Sequence, residues 1–320
     1  MILRNPHVQT LWGPRFRRLP QVDRREEKLL LSDGDHVWLS WAGPVPEDGR
    51  PIVLLLHGLA GCHDSHYIRG LQRALNERAI TSVAMNARGA LRPNDRARTY
   101  HAGEKEDIAD VLAHLHRLDD TAPVLAAGFS LGGSRLLNYL ADQPHPALCA
   151  AVTVCVPLLL DECANRVDQG FSRVYRNHLI SQLVEKLQTK LVHLQQINPA
   201  EADKLRALGD LSQLRSFWEF DEQVMAPLHG FASARDYYDR CSAQPQLAGI
   251  TVDTLLIQAD DDPFMTPAVI PDPFQLGRAM TLEVRPGGHV GFIDGSLLRP
   301  RYWLEQRLLD YWQPWLETAG

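Results

Sequence analysis

The chain has 320 residues, 45% of them hydrophobic and 22% charged, with a formal net charge of −6. A chain of that size removes ~75% of its unfolded surface from water, so one large core is expected; disorder, collagen-like repeats and coiled coil are excluded. An acidic balance with no basic domain also excludes nucleic acid as the main partner.

Residues 1–50 mix aromatic and charged positions. Alternation in Asp35-His36-Val37-Trp38-Leu39-Ser40-Trp41 predicts a half-buried antiparallel strand leading into the turn-rich stretch Gly43–Gly49. Short apolar runs then recur at Ile52–Leu56, Thr81–Met85, Val124–Ala127 and Ala150–Val154, separated by helical segments. Strands buried on both faces and alternating with helices predict a mostly parallel sheet wrapped by helices, an α/β fold. The rhythm stops at Asp161 and returns at Thr254–Gln258. Between them the apolar positions follow a helical period, as in Leu179, Leu183, Leu187, Leu191 and Leu194. Residues 161–250 are therefore expected to form a helical cap inserted into a single domain, 1–320. A last strand, Met280–Val284, precedes a glycine-rich loop and a closing helix with Trp303, Leu304, Leu308 and Trp312.

The five cysteines (Cys62, Cys149, Cys155, Cys163, Cys241) are odd in number, scattered, and include no C-x-x-C pair. That pattern predicts reduced thiols rather than a disulfide framework or a zinc cage. The opening residues lack the apolar run of a secretory signal, and the longest apolar stretch, 147–160, is shorter than the ~20 residues a membrane span needs. A cytoplasmic protein without an integral membrane segment is expected. Nothing in the sequence speaks to its oligomeric state.

The strongest chemical signal is Gly128-Phe129-Ser130-Leu131-Gly132, after a predicted strand and before a predicted helix. A nucleophile elbow holds its serine in a strained turn, and glycines at these positions keep side chains off the neighbouring strand and helix. Ser130 is the expected nucleophile. In His57-Gly58-Leu59-Ala60-Gly61, after the strand Ile52–Leu56, the glycines let a backbone N–H turn toward that serine. An oxyanion hole made of the Leu59 and Leu131 amides is expected, with His57 holding the bend. Asp260-Asp261-Asp262-Pro263 ends the strand Thr254–Gln258, and Gly287-Gly288-His289-Val290-Gly291-Phe292 follows the last strand. The order Ser130, acid, His289 is that of a hydrolase triad on this architecture. Side chains at a strand end diverge, so the three aspartates cannot all point inward, and the residues alone leave Asp260, Asp261 and Asp262 open.

Together, the elbow, the H-G loop, the late acid and the final histidine resemble the α/β-hydrolase fold superfamily over about residues 35–320. More narrowly, Asn5-Pro6-His7-Val8-Gln9-Thr10-Leu11-Trp12, Asn86-Ala87-Arg88-Gly89, Tyr100-His101-Ala102-Gly103, Tyr237-Tyr238 and Asp261-Asp262-Pro263-Phe264-Met265 resemble the YheT-like hydrolases. That family is related to ABHD1/ABHD3-type lipid hydrolases and to yeast ethanol ester synthases. The superfamily's late-strand pattern, a small residue, two variable positions and then the acid before proline, selects Asp262. Asp261 is then expected to face solvent or cap the following turn. The resemblance implies hydrolysis of carboxylic esters through an acyl-enzyme, without cofactor or metal, on a small-molecule ester. Two alternatives remain: acyl transfer to an alcohol from the same acyl-enzyme, and a catalytically idle binding protein. Apolar residues of the insertion, including Phe217, Trp218, Phe220, Met225 and Phe231, are expected to gate an acyl pocket.

Other patterns are weaker. His63-x-x-His66 and His114-x-His116 lack a third metal ligand at a supportive spacing. The pair His114 and Asp119 is expected on a solvated helix face, and Arg15, Arg17, Arg18, Arg24 and Arg25 are expected as surface charges partly balanced by Asp23, Glu26 and Glu27.

Overall fold

The computed structural model describes residues 5–47, 49–296 and 299–317; Met1–Arg4 and Asp48 of the predicted turn lie outside them. The chain enters as α1 (Pro6–Phe16), started by Asn5, whose side chain accepts from the amides of His7 (2.9 Å) and Val8 (3.1 Å). No apolar stripe marks this helix, because its buried positions are Gln9, Thr10 and Gly13. Next comes β1 (Arg25–Leu30), an edge strand that buries only Leu29 and pairs antiparallel with β2 (His36–Ala42). Neither α1 nor β1 was legible, since a mostly exposed edge strand and a helix with polar packing carry no hydrophobic period.

From there the pattern is regular: β3 (Ile52–Leu56), α2 (His66–Asn76), β4 (Thr81–Asn86), α3 (Glu106–Leu118), β5 (Val124–Phe129), α4 (Leu131–Leu140) and β6 (Leu148–Val154). All residues of β3, β4 and β5 are buried, as strands covered on both faces must be. After the insertion come β7 (Asp253–Gln258) and β8 (Met280–Val284), giving the strand order β1-β2-β4-β3-β5-β6-β7-β8. All neighbours from β4 to β8 run parallel, while β1 and β2 are antiparallel. Strand order reverses around β3, with β4 on one side and β5 on the other. Loops leaving the carboxyl ends of β3 and β5 therefore diverge and open a crevice.

The insertion between β6 and β7 contains α5 (Leu160–Val167), α6 (Ser172–Ile197), α7 (Pro199–Arg206), α8 (Phe217–Phe220), a π-helical turn (Asp221–Met225), α9 (Ala226–His229) and α10 (Ala234–Cys241). Its buried apolar residues, among them Ile180, Leu187, Leu194, Phe220 and Tyr238, form a second core with Leu131, distinct from the one around the sheet. The chain closes with a small hairpin, β9 (Ile293–Ser296) and β10 (Arg299–Tyr302), and α11 (Trp303–Glu317), which buries Leu304, Leu308, Leu309 and Trp312. The hairpin was not anticipated: its strands have four residues each and bury only Ile293.

Candidate active site

The crevice is floored by Ser130, which leaves β5 with φ 52° and ψ −121°. A non-glycine residue held in such a conformation stores ~1–3 kcal/mol, and here the surroundings enforce it. The Ser130 amide donates to the Val154 carbonyl at 2.8 Å. A Cβ on Gly128 would stand 2.6 Å from the Gly132 carbonyl oxygen, and one on Gly132 would stand 2.5 Å from those of Leu56 and His57. Only glycine lets strand and helix approach so closely.

His289 Nε2 lies 2.9 Å from Ser130 Oγ, and its Nδ1 lies 2.8 Å from Asp262 Oδ2. An ionised carboxylate only accepts, so Nδ1 carries the proton and Nε2 is left to accept from the serine hydroxyl. The Asp262 side chain is 1% exposed and its Oδ1 accepts from the Phe264 amide at 2.8 Å, while His289 keeps 17% exposure. The Phe264 ring meets the imidazole edge-on at 4.2 Å and limits its rotation.

Asp261 neither faces solvent nor caps its own turn. Its Oδ1 accepts from both the Gly287 and Gly288 amides, each at 2.8 Å, because β7 and β8 are neighbours and their loops meet. The loop carrying His289 is gripped from the other side by α1. The His289 amide donates to Thr10 Oγ1 (2.9 Å), and Gln9 exchanges two hydrogen bonds with the Ile293 backbone (2.7 and 2.9 Å). Gly288 has φ +58°, and a Cβ there would lie 2.5 Å from the Pro6 carbonyl oxygen. The Asn5–Trp12 motif thus acts as a clamp on the histidine loop, which sequence spacing could not reveal.

Around Ser130 two amides point free. Gly58 donates to the Tyr67 hydroxyl (3.0 Å) and Ala60 to that of Tyr100 (2.9 Å). Between them, and among the described residues, the Leu59 amide has no protein acceptor; the Leu131 amide opens α4 and equally has none. Tyr67 and Tyr100 were not singled out, although Tyr100 belongs to a quoted motif. His57 donates from Nδ1 to the Gly58 carbonyl (2.8 Å) and accepts the Ala87 amide at Nε2 (3.0 Å). Burial pushes its pKa down to about 3, so it is a neutral strut. Arg88 anchors the adjacent loop between Asp107, Asp33 (2.7 Å) and Asp35 (3.0 Å), and Asp107 and Asp33 raise its pKa against the effect of burial.

Above Ser130 the inserted helices enclose a cavity of about 660 Å³. Phe217, Phe220 and Met225 line it. Trp218 and Phe231 do not: Trp218 meets Tyr238 edge-on and donates to Asn165, and Phe231 packs against His101 and Tyr237, so both lie behind the wall.

The weaker patterns do not converge. His63 contacts Ser40 and Asn86, whereas His66 packs beside Gly13 and Tyr67. His114 faces Glu27 (2.9 Å), and Asp119 accepts from Gly49 and Thr121. The arginines are balanced differently from expectation: Arg17 is buried against Glu305 (2.6 Å) and Arg24 against Asp64 (2.7 Å), because α1 and its following segment pack on α2 and α11. Among the described residues two groups gather enough donor atoms for a metal ion. One is Cys155, Asp262 and His289, where Asp262 and His289 are bonded to each other and the Cys155 thiol donates to the Gly288 carbonyl; the other is Asp35, His36 and Asp95, where Asp35 is engaged by Arg88 and Asn94.

Residues 51–296 match the alpha/beta hydrolase fold family. YheT of Escherichia coli (strain K12), an inferred esterase by its name, is 39% identical over 99% of this chain and 92% of its own. The chain belongs to the alpha/beta hydrolase fold family. Phospholipase ABHD3 of Homo sapiens is 27% identical, covering 97% of this chain and 76% of its own, and monoacylglycerol lipase ABHD2 of Homo sapiens is 27% identical over 95% and 76%. Among solved structures, esterase Pf2001 of Pyrococcus furiosus superposes with a TM-score of 0.60 at 14% identity, covering 92% of each chain. That likeness speaks to the fold. No helix among the described residues is long and apolar enough to cross a membrane.

Proposed function

We propose that the protein is a serine esterase acting on carboxylic esters through an acyl-enzyme. The observation that carries this reading is the continuous chain from Ser130 Oγ through His289 to buried Asp262, at 2.9 and 2.8 Å. His289 takes the serine proton as Oγ attacks the acyl carbon, and Asp262 stabilises the imidazolium. The free amides of Leu59 and Leu131 receive the oxyanion. His289 returns the proton to the departing alcohol, then activates water to release the acid. The helices of residues 161–250 serve as the cap, and the cavity beneath them takes the acyl chain.

Two measurements on the purified chain test this. A fluorophosphonate probe is expected to label the wild type and not Ser130→Ala, and p-nitrophenyl ester hydrolysis is expected to fall to background in that variant. Loss of a nucleophile costs ~10⁶ in kcat in subtilisin. A Ser130→Ala variant retaining a tenth of wild-type activity would remove the assignment.

A further inference from the structure

The cavity above Ser130 has two unlike walls. One, from α5, α8 and the π-helical turn, is apolar except for Asp221 and includes Leu160, Ala164 and Phe220. The other, along α6, carries beside Leu179, Leu183 and Leu187 a polar stripe of His178, Gln182, Lys186 and Lys190, four residues apart and hence on one helix face. An acyl chain needs only the first wall.

Lys186 stands nearest the chemistry. Its Nζ donates to the carbonyls of Ala60 (3.2 Å) and Ala90 (2.9 Å), and Ala60 follows directly on Leu59. An ammonium has three protons, so two carbonyls leave one. Among the described residues no carboxylate pairs with Lys186, and burial holds its pKa below the usual lysine range, with the Cys62 thiol acting weakly the other way. Lys190, one turn further, is also enclosed and bonds only to carbonyls, those of Ala97 (3.5 Å) and Arg98 (2.9 Å). The acids on the cavity wall do not compensate. Asp64 is held by Arg24 (2.7 Å) and Arg69 (3.5 Å), and Asp221 accepts the Tyr238 hydroxyl (2.6 Å), with its pKa pushed up to about 7 by burial. Arg88 has its own three carboxylates. An ammonium withdrawn from water without a counter-ion carries a desolvation cost that an incoming anion offsets.

We propose that Lys186 binds an anionic substituent of the substrate, so that the preferred ester carries a phosphate or carboxylate group beside the oxyanion loop and its apolar chain on the opposite wall. This rests on the esterase reading above. Phosphate on the alcohol side and carboxylate on the acyl side share the chemistry, and two matched substrate pairs separate them.

The test compares wild type, Lys186→Gln and Lys186→Arg on 1-butyrylglycerol against 1-butyrylglycerol 3-phosphate, and on p-nitrophenyl butyrate against p-nitrophenyl hydrogen glutarate. Glutamine still offers a donor to the Ala60 carbonyl but no charge. In at least one pair the wild type is expected to favour the anionic member in kcat/KM. In that pair the anionic-to-neutral ratio should fall about tenfold or more in Lys186→Gln, mostly through KM, as loss of one charge-assisted hydrogen bond implies. Lys186→Arg should restore most of it. An unchanged ratio, whatever happens to the absolute rates, reduces Lys186 to a support of the oxyanion loop and overturns the proposal. So does a wild type that favours the neutral member in both pairs. Hydrolysis of neutral esters by wild type but not by Ser130→Ala keeps the esterase reading in either case, whereas no turnover of any ester removes both.

Discussion

At the scale of single residues, Asp261 and Asp262 divide two tasks between adjacent carboxyls. Asp262 faces the imidazole, and Asp261 gathers the two glycine amides that precede His289. On the proposed mechanism Asp262→Asn favours the wrong imidazole tautomer while leaving the fold intact, and kcat is expected to drop ~10⁴, as in the comparable serine-protease variant. Asp261→Asn still offers an Oδ1 acceptor and should stay within a few fold of wild type. Asp261→Ala leaves two amides without an acceptor, ~1–3 kcal/mol each, and should lower both the melting temperature and kcat. Steady-state kinetics on the three variants decides the ranking; an Asp261→Asn loss exceeding that of Asp262→Asn would transfer the role. Thr10 acts through the His289 backbone. Thr10→Val, nearly isosteric, removes one acceptor worth ~1 kcal/mol, so kcat is expected to fall roughly fivefold with KM little changed.

At the scale of elements, the inserted helices build a core of their own, and the cavity lies between it and the sheet. Each methylene moved from water into that cavity contributes ~0.8 kcal/mol, so kcat/KM on p-nitrophenyl esters is expected to climb about fourfold per carbon until the space is full. Phe220 lies on the cavity wall and, on the proposed function, would limit the chain that fits. Phe220→Ala should move the optimum toward longer acyl groups. A flat profile from acetyl to decanoyl, or an unmoved optimum in Phe220→Ala, would argue against the acyl-pocket role.

At the scale of the whole molecule, buried histidines tie stability to pH. Burial holds His57, His66 and His229 down to about 3. In the unfolded chain these groups titrate near ~6.5, so below that value the unfolded state binds protons that the native state refuses. Their contribution is complete above pH ~6.5 and is lost as pH falls toward ~3. Asp33, Asp64 and Asp95, held below the usual carboxylate range by hydrogen bonds and nearby positive charge, act in the same direction at still lower pH. Three histidines correspond to ~4 kcal/mol per pH unit between about pH 6 and 4; Asp221, pushed up to about 7 by burial, and Glu104, also raised by burial, act in the opposite direction and offset part of it. Urea midpoints measured from pH 4 to 8 are expected to fall on the acid side of neutrality; a midpoint rising from pH 7 to 5 would contradict this account. Arg88 is buried and enclosed by three carboxylates near the site. Arg88→Ala should cost ~3–5 kcal/mol by stranding Asp35 and Asp107, read from the same denaturation curves.

What the sequence by itself determined is whatever short-range pattern encodes. The runs Ile52–Leu56 and Val124–Ala127 read as strands because both their faces are buried, and Gly128 and Gly132 stood out because the turn between them excludes any Cβ. Ser130, Asp262 and His289 were legible as candidates for the same reason, each at the end of a readable strand. Tertiary structure alone decided which groups meet across the chain. Thr10 reaches His289 over 279 positions, Lys186 reaches Ala60 over 126, and Asp261 finds its partners 26 and 27 residues on. Such bonds join a side chain to a distant backbone atom, and a backbone atom has no residue identity to read. Hydrophobic period likewise could not announce α1 or β1, because α1 packs through Gln9, Thr10 and Gly13 and β1 lies at an edge. Local propensity and burial write themselves into neighbouring residues; the clamp on the histidine loop and the charged wall of the cavity exist only once the sheet has brought its strand ends together.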